Sequence, residues 1–509
     1  MPRKDYLLRW VRRLPELGVN TVLIEYEDKF PYERHPFLRD ASAFTPDELR
    51  AFLAAARDAG VRPVPLVQSL SHLEFALAHE ELAHLREAPP IHTQICPRND
   101  EAVELVRGLV AEVLAYHRED ELFHLGGDET WSLGVCDACK AWVEDVGGTV
   151  AAWAEHQKKI MSVVRDAGKR PVYWDDIFWK RPASLHEADL PKDVVLHSWN
   201  YVVTADKVRA SLGHEEYGNG GKPLARVDTY QDAGYDVLAG PCLDWGLFLP
   251  RHRHCLSNTA AWALKARASG MRGLINTGWS VFHVPLPAKW LYTAATGALM
   301  NGRREPLDAA WEREFIAREF GTDASGVAAA LGTVSQQWEV PCEGYERPMN
   351  PIGYGYMEMV LHFPKGHADR CKRGAYPLDW DEVDFVAMHR RKMELLRAHP
   401  DVAAIRDKAR DLAVAYEGAA ATLRALARAA TYHRDEAALL SLFADMKLLR
   451  ARILYHQLTD DGDATQFGEA LDRERPRLEE RLAPFLESPS IARMVRIWWE
   501  PLRQTLREA

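Results

Sequence analysis

The chain has 509 residues, 47% of them hydrophobic and 27% charged, with a net charge of −10, which is ordinary for a globular protein and long enough for a barrel plus a second unit. The acidic balance excludes nucleic acid and anionic membrane as main partners, since both need basic surface. No apolar run reaches the roughly 18 residues of a membrane span. The seven Cys are an odd number spread over a long chain, which suits reduced thiols in a cytoplasm.

The start, MPRKDYLLRWVRRLPELG, reads as an amphipathic helix with charges throughout and no apolar h-region, so a secretory signal is not expected and a cytoplasmic location is. TVLIEYE (21–27) then predicts a strand, and PDELRAFLAAARDAG (46–60) a helix with acids at its start and Gly after its end. VRPVPLVQ (61–68) is the next strand, EAVELVRGLVAEVLAYH (101–117) a helix, and ELFHLGG (121–127) a strand. The alternation continues through AWAEHQKKIMSVVRDAG, RPVYWDD, DVVLHSWN, a helical stretch from about 204, YDVLAGP, CLSNTAAWALKARASG and RGLINTGW. These strands are nearly continuous apolar runs, as in a parallel sheet covered on both faces.

Repeated strand–helix units predict an α/β fold of the (β/α)8 TIM-barrel type, with a doubly wound sheet as runner-up. Seven strands are legible, near 21, 62, 121, 171, 194, 236 and 272, where a closed barrel has eight, so the first strand reads as missing. From about 306 the composition turns to Ala, Leu, Arg and Glu with helical periodicity. The expected division is a catalytic barrel over 1–305 and an α-helical C-terminal domain over 306–509.

Active sites of such barrels lie at the carboxyl ends of the strands. Read in order, those ends carry Glu25, Glu27 and Asp28; Gln68, Ser71, His72 and Glu74; Asp128, Glu129 and Trp131; Trp174, Asp175 and Asp176; His197, Trp199, Asn200 and Tyr201; Asp244 and Trp245; and Asn276, Trp279 and His283. Trp174, Trp199, Trp245 and Trp279, each beside a polar residue, suggest an aromatic box for a carbohydrate, because the chain's high Trp count (16) supplies rings that stack on the apolar faces of sugars.

The pair Asp128–Glu129 is the least expected feature, because adjacent carboxylates at a strand end repel each other. Glycoside hydrolysis commonly uses two carboxyl groups from different strands on either side of the scissile bond. Consecutive side chains at a strand end are expected to diverge, which suits substrate-assisted cleavage instead. There one acid protonates the leaving oxygen while its neighbour holds a 2-acetamido group acting as nucleophile.

HLGGDE (124–129) resembles the H-x-G-G-D-E signature of the family 20 glycoside hydrolases, the β-N-acetylhexosaminidases. LIEYEDKFPYE (23–33), PLVQSLSHLEFALAHEELAHLRE (65–87) and YWDD (173–176) resemble the compact hexosaminidase D branch. The resemblance spans roughly residues 5–300 and implies Glu129 as general acid/base and Asp128 as the residue orienting the acetamido group. It implies a supporting role for His124, an acetamido pocket lined by Trp174, Trp199 and Trp279, and sugar-hydroxyl binding by Asp244. Two departures stand out. Cys242 and Leu243 precede Asp244 where the larger enzymes carry Tyr and Leu, so Tyr201 is the candidate for the acetamide oxygen. The Arg that grips sugar hydroxyls from the first strand in the larger enzymes has no counterpart, so either Glu25 or Asp28 takes that grip or binding is weakened. The full expected substrate-binding set is Glu25, His72, His124, Trp174, Trp199, Tyr201, Asp244, Trp245 and Trp279.

The expected activity is therefore an exo-acting, retaining β-N-acetylhexosaminidase that needs no cofactor and acts on saccharides ending in N-acetylhexosamine. A homodimer is compatible with this reading. Two alternatives belong to other classes: a non-catalytic carbohydrate-binding protein on a degenerate barrel, and a metal-dependent hydrolase using Asp175, Asp176 and His197. The second lacks HxxH or HxH spacing. Cys136 and Cys139, in GVCDACK, are half of a zinc motif with no second CxxC to complete it, so they read as ordinary loop thiols and no metal is expected.

Overall fold

In a computed structural model, the structure describes residues 1–211, 224–244, 246–279, 284–302, 307–336, 338–343, 348–353, 384–459 and 463–508. Seven parallel strands form one sheet: β1 (Thr21–Glu25), β2 (Arg62–Leu66), β3 (Leu122–His124), β4 (Arg170–Trp174), β5 (Val195–Trp199), β6 (Asp236–Gly240) and β7 (Gly273–Leu274). Their spatial order is their chain order, and every neighbouring pair is parallel. This is the architecture of a (β/α) barrel, with each strand where its apolar run placed it.

The crossovers are helices whose ends the sequence specifies. The helix α1 (Lys4–Arg13) precedes β1, and α2 (Pro46–Asp58) links β1 to β2. Thr45 caps α2 in a reciprocal capping box with Glu48, with Pro46 at its first position, which satisfies two otherwise orphaned N–H groups. The helix α3 (Asp100–Leu114) is capped by Asn99, whose side chain accepts from the N–H of Glu101 and of Ala102. Two helices follow β3, the short α4 (Asp137–Asp145) and the long α5 (Thr149–Asp166), and α6 (His252–Ser269) joins β6 to β7.

The strand layer is not continuous around the ring. Among the described residues no pairing joins β7 to β1, and a cavity of 1080 Å³ is lined by both of their edges, Thr21–Glu25 on one side and 274–279 on the other. The helical layer does close. The helix α7 (Trp290–Met300) follows β7 and packs against the turn Leu14–Leu17 after α1, with Asn301 Nδ2 donating to the Gly18 carbonyl at 2.8 Å. Arg13 lies over the Trp290 ring at 4.1 Å.

The described residues beyond 306 are mostly helical, and long helices Val402–Ala429 and Arg434–Thr459 pair with each other. One apolar core runs through both parts of the chain. Phe248 stacks on Phe443 with ring centroids 5.5 Å apart and meets the edge of Trp498 at 4.2 Å, while Tyr6 of α1 meets Phe485 at 5.0 Å. Burial of rings of this size stabilises by about 1.5–3 kcal/mol each. No described helix is long and apolar enough to cross a membrane.

Gly297 is the contact point of the helical closure: a Cβ there would overlap the Leu17 carbonyl. Backbone cannot yield as a flexible side chain can, so Gly297→Ala is expected to lower unfolding free energy by about 1–3 kcal/mol. A urea titration checks this, and an unchanged midpoint would show that the helical ring carries no tight contact there.

Candidate active site

The site forms where the chain leaves β2, β3 and β4. After β3 it turns through Gly126 and Gly127, both with positive φ (59° and 79°). A Cβ at Gly126 would overlap Gln68 Oε1, and one at Gly127 would lie 3.2 Å from Trp153, Tyr173 and Gln157. Both glycines are therefore needed for conformation and for close passage. Trp153 Nε1 donates to the Gly127 carbonyl at 2.8 Å, fixing the turn. Gln68 receives the Gly127 N–H at 3.3 Å and donates to Glu25 Oε1 at 2.9 Å, so one side chain ties the ends of β1, β2 and β3 together.

Glu129 also has positive φ, 49°, as does His72, 54°. Left-handed backbone is uncommon outside glycine and costs of order 1–3 kcal/mol. Its effect is to bring the two carboxylates together where alternation would have separated them. His72 Nε2 lies 3.4 Å from Asp128 Oδ2 and 3.4 Å from Glu129 Oε2, with Glu74 Oε1 3.9 Å from its other nitrogen. The expected divergence of Asp128 and Glu129 is thus corrected: both reach one imidazole because Glu129 leaves the extended conformation.

The backbone around the pair is held from two sides. Ser71 Oγ donates to the Asp128 carbonyl at 2.6 Å, and the Glu129 N–H donates to Asp176 Oδ2 at 2.8 Å. Asp128 Oδ1 is buried without a hydrogen-bond partner. Burial disfavours a charged His72, but the Asp128 charge and the contacts to Asp128 and Glu129 outweigh it, and the imidazole is held protonated well above its usual range. Burial raises Asp176 well above the carboxylate range, with the Asp128 charge adding to it. Glu25 is pushed up to about 7, first by burial and then by the Asp128 charge, against the Gln68 bond that favours its ionised form.

Aromatic rings form a second wall. Trp174 stacks on His197 (4.1 Å, 22°) and meets Trp279 edge-on at 5.7 Å. Trp279 Nε1 donates to the Tyr201 hydroxyl at 2.8 Å, and Trp199 lies 4.9 Å from the Tyr201 ring. Trp279, Glu129, His72, Trp131 and Glu25 line the same cavity, the one that opens between β1 and β7. Trp131 and Trp279 are exposed at 43% and 41%, high for rings of that size and suited to a platform for ligand.

Of the expected binding residues that are described, Glu25, His72 and Trp279 line the cavity, Trp174, Trp199 and Tyr201 pack behind Trp279 without lining it, and two more stand elsewhere. His124 is fully buried beneath Trp174; its Nδ1 accepts from the Gly126 N–H at 3.0 Å and its Nε2 meets His197 Nδ1 at 3.3 Å. It supports the pocket from below and cannot touch a sugar directly. Burial, then the adjacent His197, holds it neutral well below the usual range. Asp244 is 1% exposed, receives Lys289 Nζ at 2.9 Å and the Cys242 thiol at 3.2 Å, and does not line the cavity. Trp245 and His283 lie outside the described residues.

Asp175 serves structure. It accepts from Arg226 Nε at 2.6 Å, Ser198 Oγ at 2.6 Å and Trp179 Nε1 at 2.9 Å, so its oxygens are taken up by cationic and neutral donors and do not fit a metal ligand. Sequence reasoning noted Gln68, Ser71 and Asp176 at strand ends but gave them no role; their position beside the acids was the available signal.

A strand-end cavity with adjacent carboxylates and aromatic walls is the site of a carbohydrate-active enzyme. A family model, the catalytic domain of glycosyl hydrolase family 20, matches residues 28–215. Hexosaminidase D of Bos taurus is 31% identical over 288 residues, covering 55% of this chain and 80% of the bovine protein. Hexosaminidase D of Homo sapiens is 30% identical over 287 residues, covering 55% of this chain and 57% of the human protein, so the chain spans little more than half of the latter. Among solved structures, β-N-acetylhexosaminidase from Bacteroides fragilis is 15% identical with a TM-score of 0.47, covering 62% of this chain and 66% of that one. The chain belongs to family 20 of the glycosyl hydrolases and is a glycoside hydrolase of the β-hexosaminidase type.

Because folded His72 binds its proton more tightly than the unfolded chain does, its stabilisation is fully present below about pH 6.5. It is lost as pH rises through the higher folded-state value. NMR titration is expected to show His72 still protonated at pH 7 while His124 stays neutral to well below pH 6; a His72 titrating near 6.5 would show that the two carboxylates do not hold it.

Proposed function

We propose that the protein removes terminal β-linked N-acetylhexosamine, GlcNAc or GalNAc, from saccharides with retention of configuration, the substrate's 2-acetamido group acting as nucleophile. The observation that carries this reading is the convergence of Asp128 and Glu129 on His72 at 3.4 Å, beside the cavity that Trp279 and Trp131 also line.

In this reading Glu129 donates a proton to the glycosidic oxygen as the C1–O bond breaks. The acetamido carbonyl oxygen attacks C1 and closes an oxazolinium-like ring. Asp128 accepts a hydrogen bond from the acetamido N–H and balances the positive charge that develops; its Oδ1, without a partner among the described residues, has the acceptor capacity for it. Trp174, Trp199 and Trp279 enclose the methyl group, and the Tyr201 hydroxyl, beside Trp279 Nε1, holds the acetamide oxygen. Glu129, now ionised, takes a proton from a water that opens the ring, so two inversions at C1 give net retention.

His72 has the role of a shared counter-ion. Protonated between the acids, it balances Asp128 in the resting site and Glu129 once that acid has given up its proton. Glu25 and Asp28 line the cavity at its β1 side and are the groups available for sugar hydroxyls.

Turnover of aryl β-GlcNAc and β-GalNAc, with and without an oxazoline-mimicking thiazoline, tests the mechanism. Strong competitive inhibition is expected, and hydrolysis indifferent to the thiazoline would remove the acetamido group from the mechanism. Glu129→Gln is expected to lower kcat by about 10²–10⁴-fold on substrates with poor leaving groups, with KM little changed. A leaving group that needs no proton should recover part of that loss. Binding without hydrolysis by the unaltered protein would mark it as a carbohydrate-binding barrel.

A further inference from the structure

Cys136 and Cys139, expected as loop thiols, stand at the N-cap and in the first turn of α4 and acquire partners that spacing could not show. Cys96 Sγ lies 3.5 Å from Cys139 Sγ and 3.9 Å from Cys136 Sγ, and a carboxylate oxygen of Glu87 completes a set of four donor atoms all within 4.8 Å of one another. We propose that Glu87, Cys96, Cys136 and Cys139 form a structural zinc site.

The spacing matches the ion. With Zn–S bonds of about 2.3 Å, tetrahedral thiolates stand about 3.8 Å apart, between the two sulfur–sulfur distances observed. Four protein donors close the site, as in zinc centres that hold structure rather than perform catalysis. Glu87 is only 2% exposed and its Oε2 is buried without a hydrogen-bond partner. A carboxylate in that condition is costly unless something cationic meets it. A disulfide would join two of the sulfurs and leave the third, and the carboxylate, unanswered.

The backbone is arranged to support sulfur and oxygen anions. Glu87 Oε1 accepts from the N–H of Val135 at 2.9 Å and of Cys136 at 3.1 Å. Cys136 is the N-cap of α4 and its sulfur accepts from the Cys139 N–H at 3.3 Å. These three amide donors offset part of the net negative charge that three thiolates and a carboxylate keep after binding Zn²⁺.

Two chain segments meet there. Residues 86–96 form a closed loop in which Glu87 N–H bonds to Gln94 at 3.0 Å and Cys96 N–H to Leu85 at 2.8 Å. This loop follows the segment carrying His72 and Glu74, while Cys136 and Cys139 follow the one carrying Asp128, Glu129 and Trp131. The ion would pin the loop after β2 to the loop after β3, fixing the backbone that presents His72 to the two acids. Cys96 and Cys136 are half-buried, which leaves a path for the metal to enter.

The protein purified under reducing conditions from zinc-supplemented medium is expected to hold about one zinc per chain, measured by elemental analysis and native mass spectrometry. Cys96→Ser and Cys136→Ser should retain about tenfold less or lower. Because such variants can fail to fold, the unaltered chain is also stripped and loaded with cobalt. Intense visible absorption and sulfur-to-cobalt charge transfer are expected, and the pale spectrum of water-ligated cobalt would overturn the proposal. Substoichiometric zinc in the unaltered protein, or a metal-free Cys96–Cys139 disulfide in its intact mass, would overturn it as well.

Discussion

The site depends on the His72 cation placed among acids. Asp128 and Glu129 sit next to each other in the chain, Asp176 and Glu74 stand close by, and Glu25 lines the cavity wall. Repulsion in such surroundings is offset because His72 Nε2 is within 3.4 Å of both central carboxylates. Everything around the imidazole serves to keep that arrangement: the glycines let β3 turn, Gln68 ties three strand ends, Ser71 holds the Asp128 carbonyl, and Asp176 holds the Glu129 amide. A histidine suits the position because its proton affinity responds to the surrounding charge, where a lysine would be a fixed and strongly hydrated ion.

The barrel shows how separable its two layers are. The helix α7 meets the turn after α1 through Gly297 and Asn301, so the outer ring is closed. The strands leave a seam between β1 and β7, and the cavity occupies it. All five residues of β1 are intermediate in exposure, where β4 is almost wholly buried. Cavity-lining groups on β1 are thereby reached from the side of the sheet as well as from its end.

Much of this was legible in the residues. Seven apolar runs became seven strands because parallel strands covered on both faces need continuous hydrophobicity, and that pattern has few other uses. The acid pair and the Trp residues were legible for the same reason: they interrupt apolar runs at strand ends. What was not legible depended on backbone conformation or on distant partners. Alternation along an extended strand separates Asp128 from Glu129, and nothing in HLGGDE announces that Glu129 is left-handed. His124 and Asp244 stand where binding residues are expected, but their depth is set by Trp174 and by Lys289, which come from other strands or helices. Glu87 and Cys96 have no motif spacing to Cys136, being 40 or more residues away, so only the fold assembles them.

The left-handed residues His72 and Glu129 carry a consequence for anyone evolving this enzyme. Glycine at either position would relax the backbone and delete a group that the proposed chemistry uses. Selection for heat resistance and selection for turnover therefore pull these two codons in opposite directions. A library screened in parallel for both traits would find glycine enriched in one population and purged from the other at these sites, marking them as places where the fold carries a burden on behalf of its chemistry.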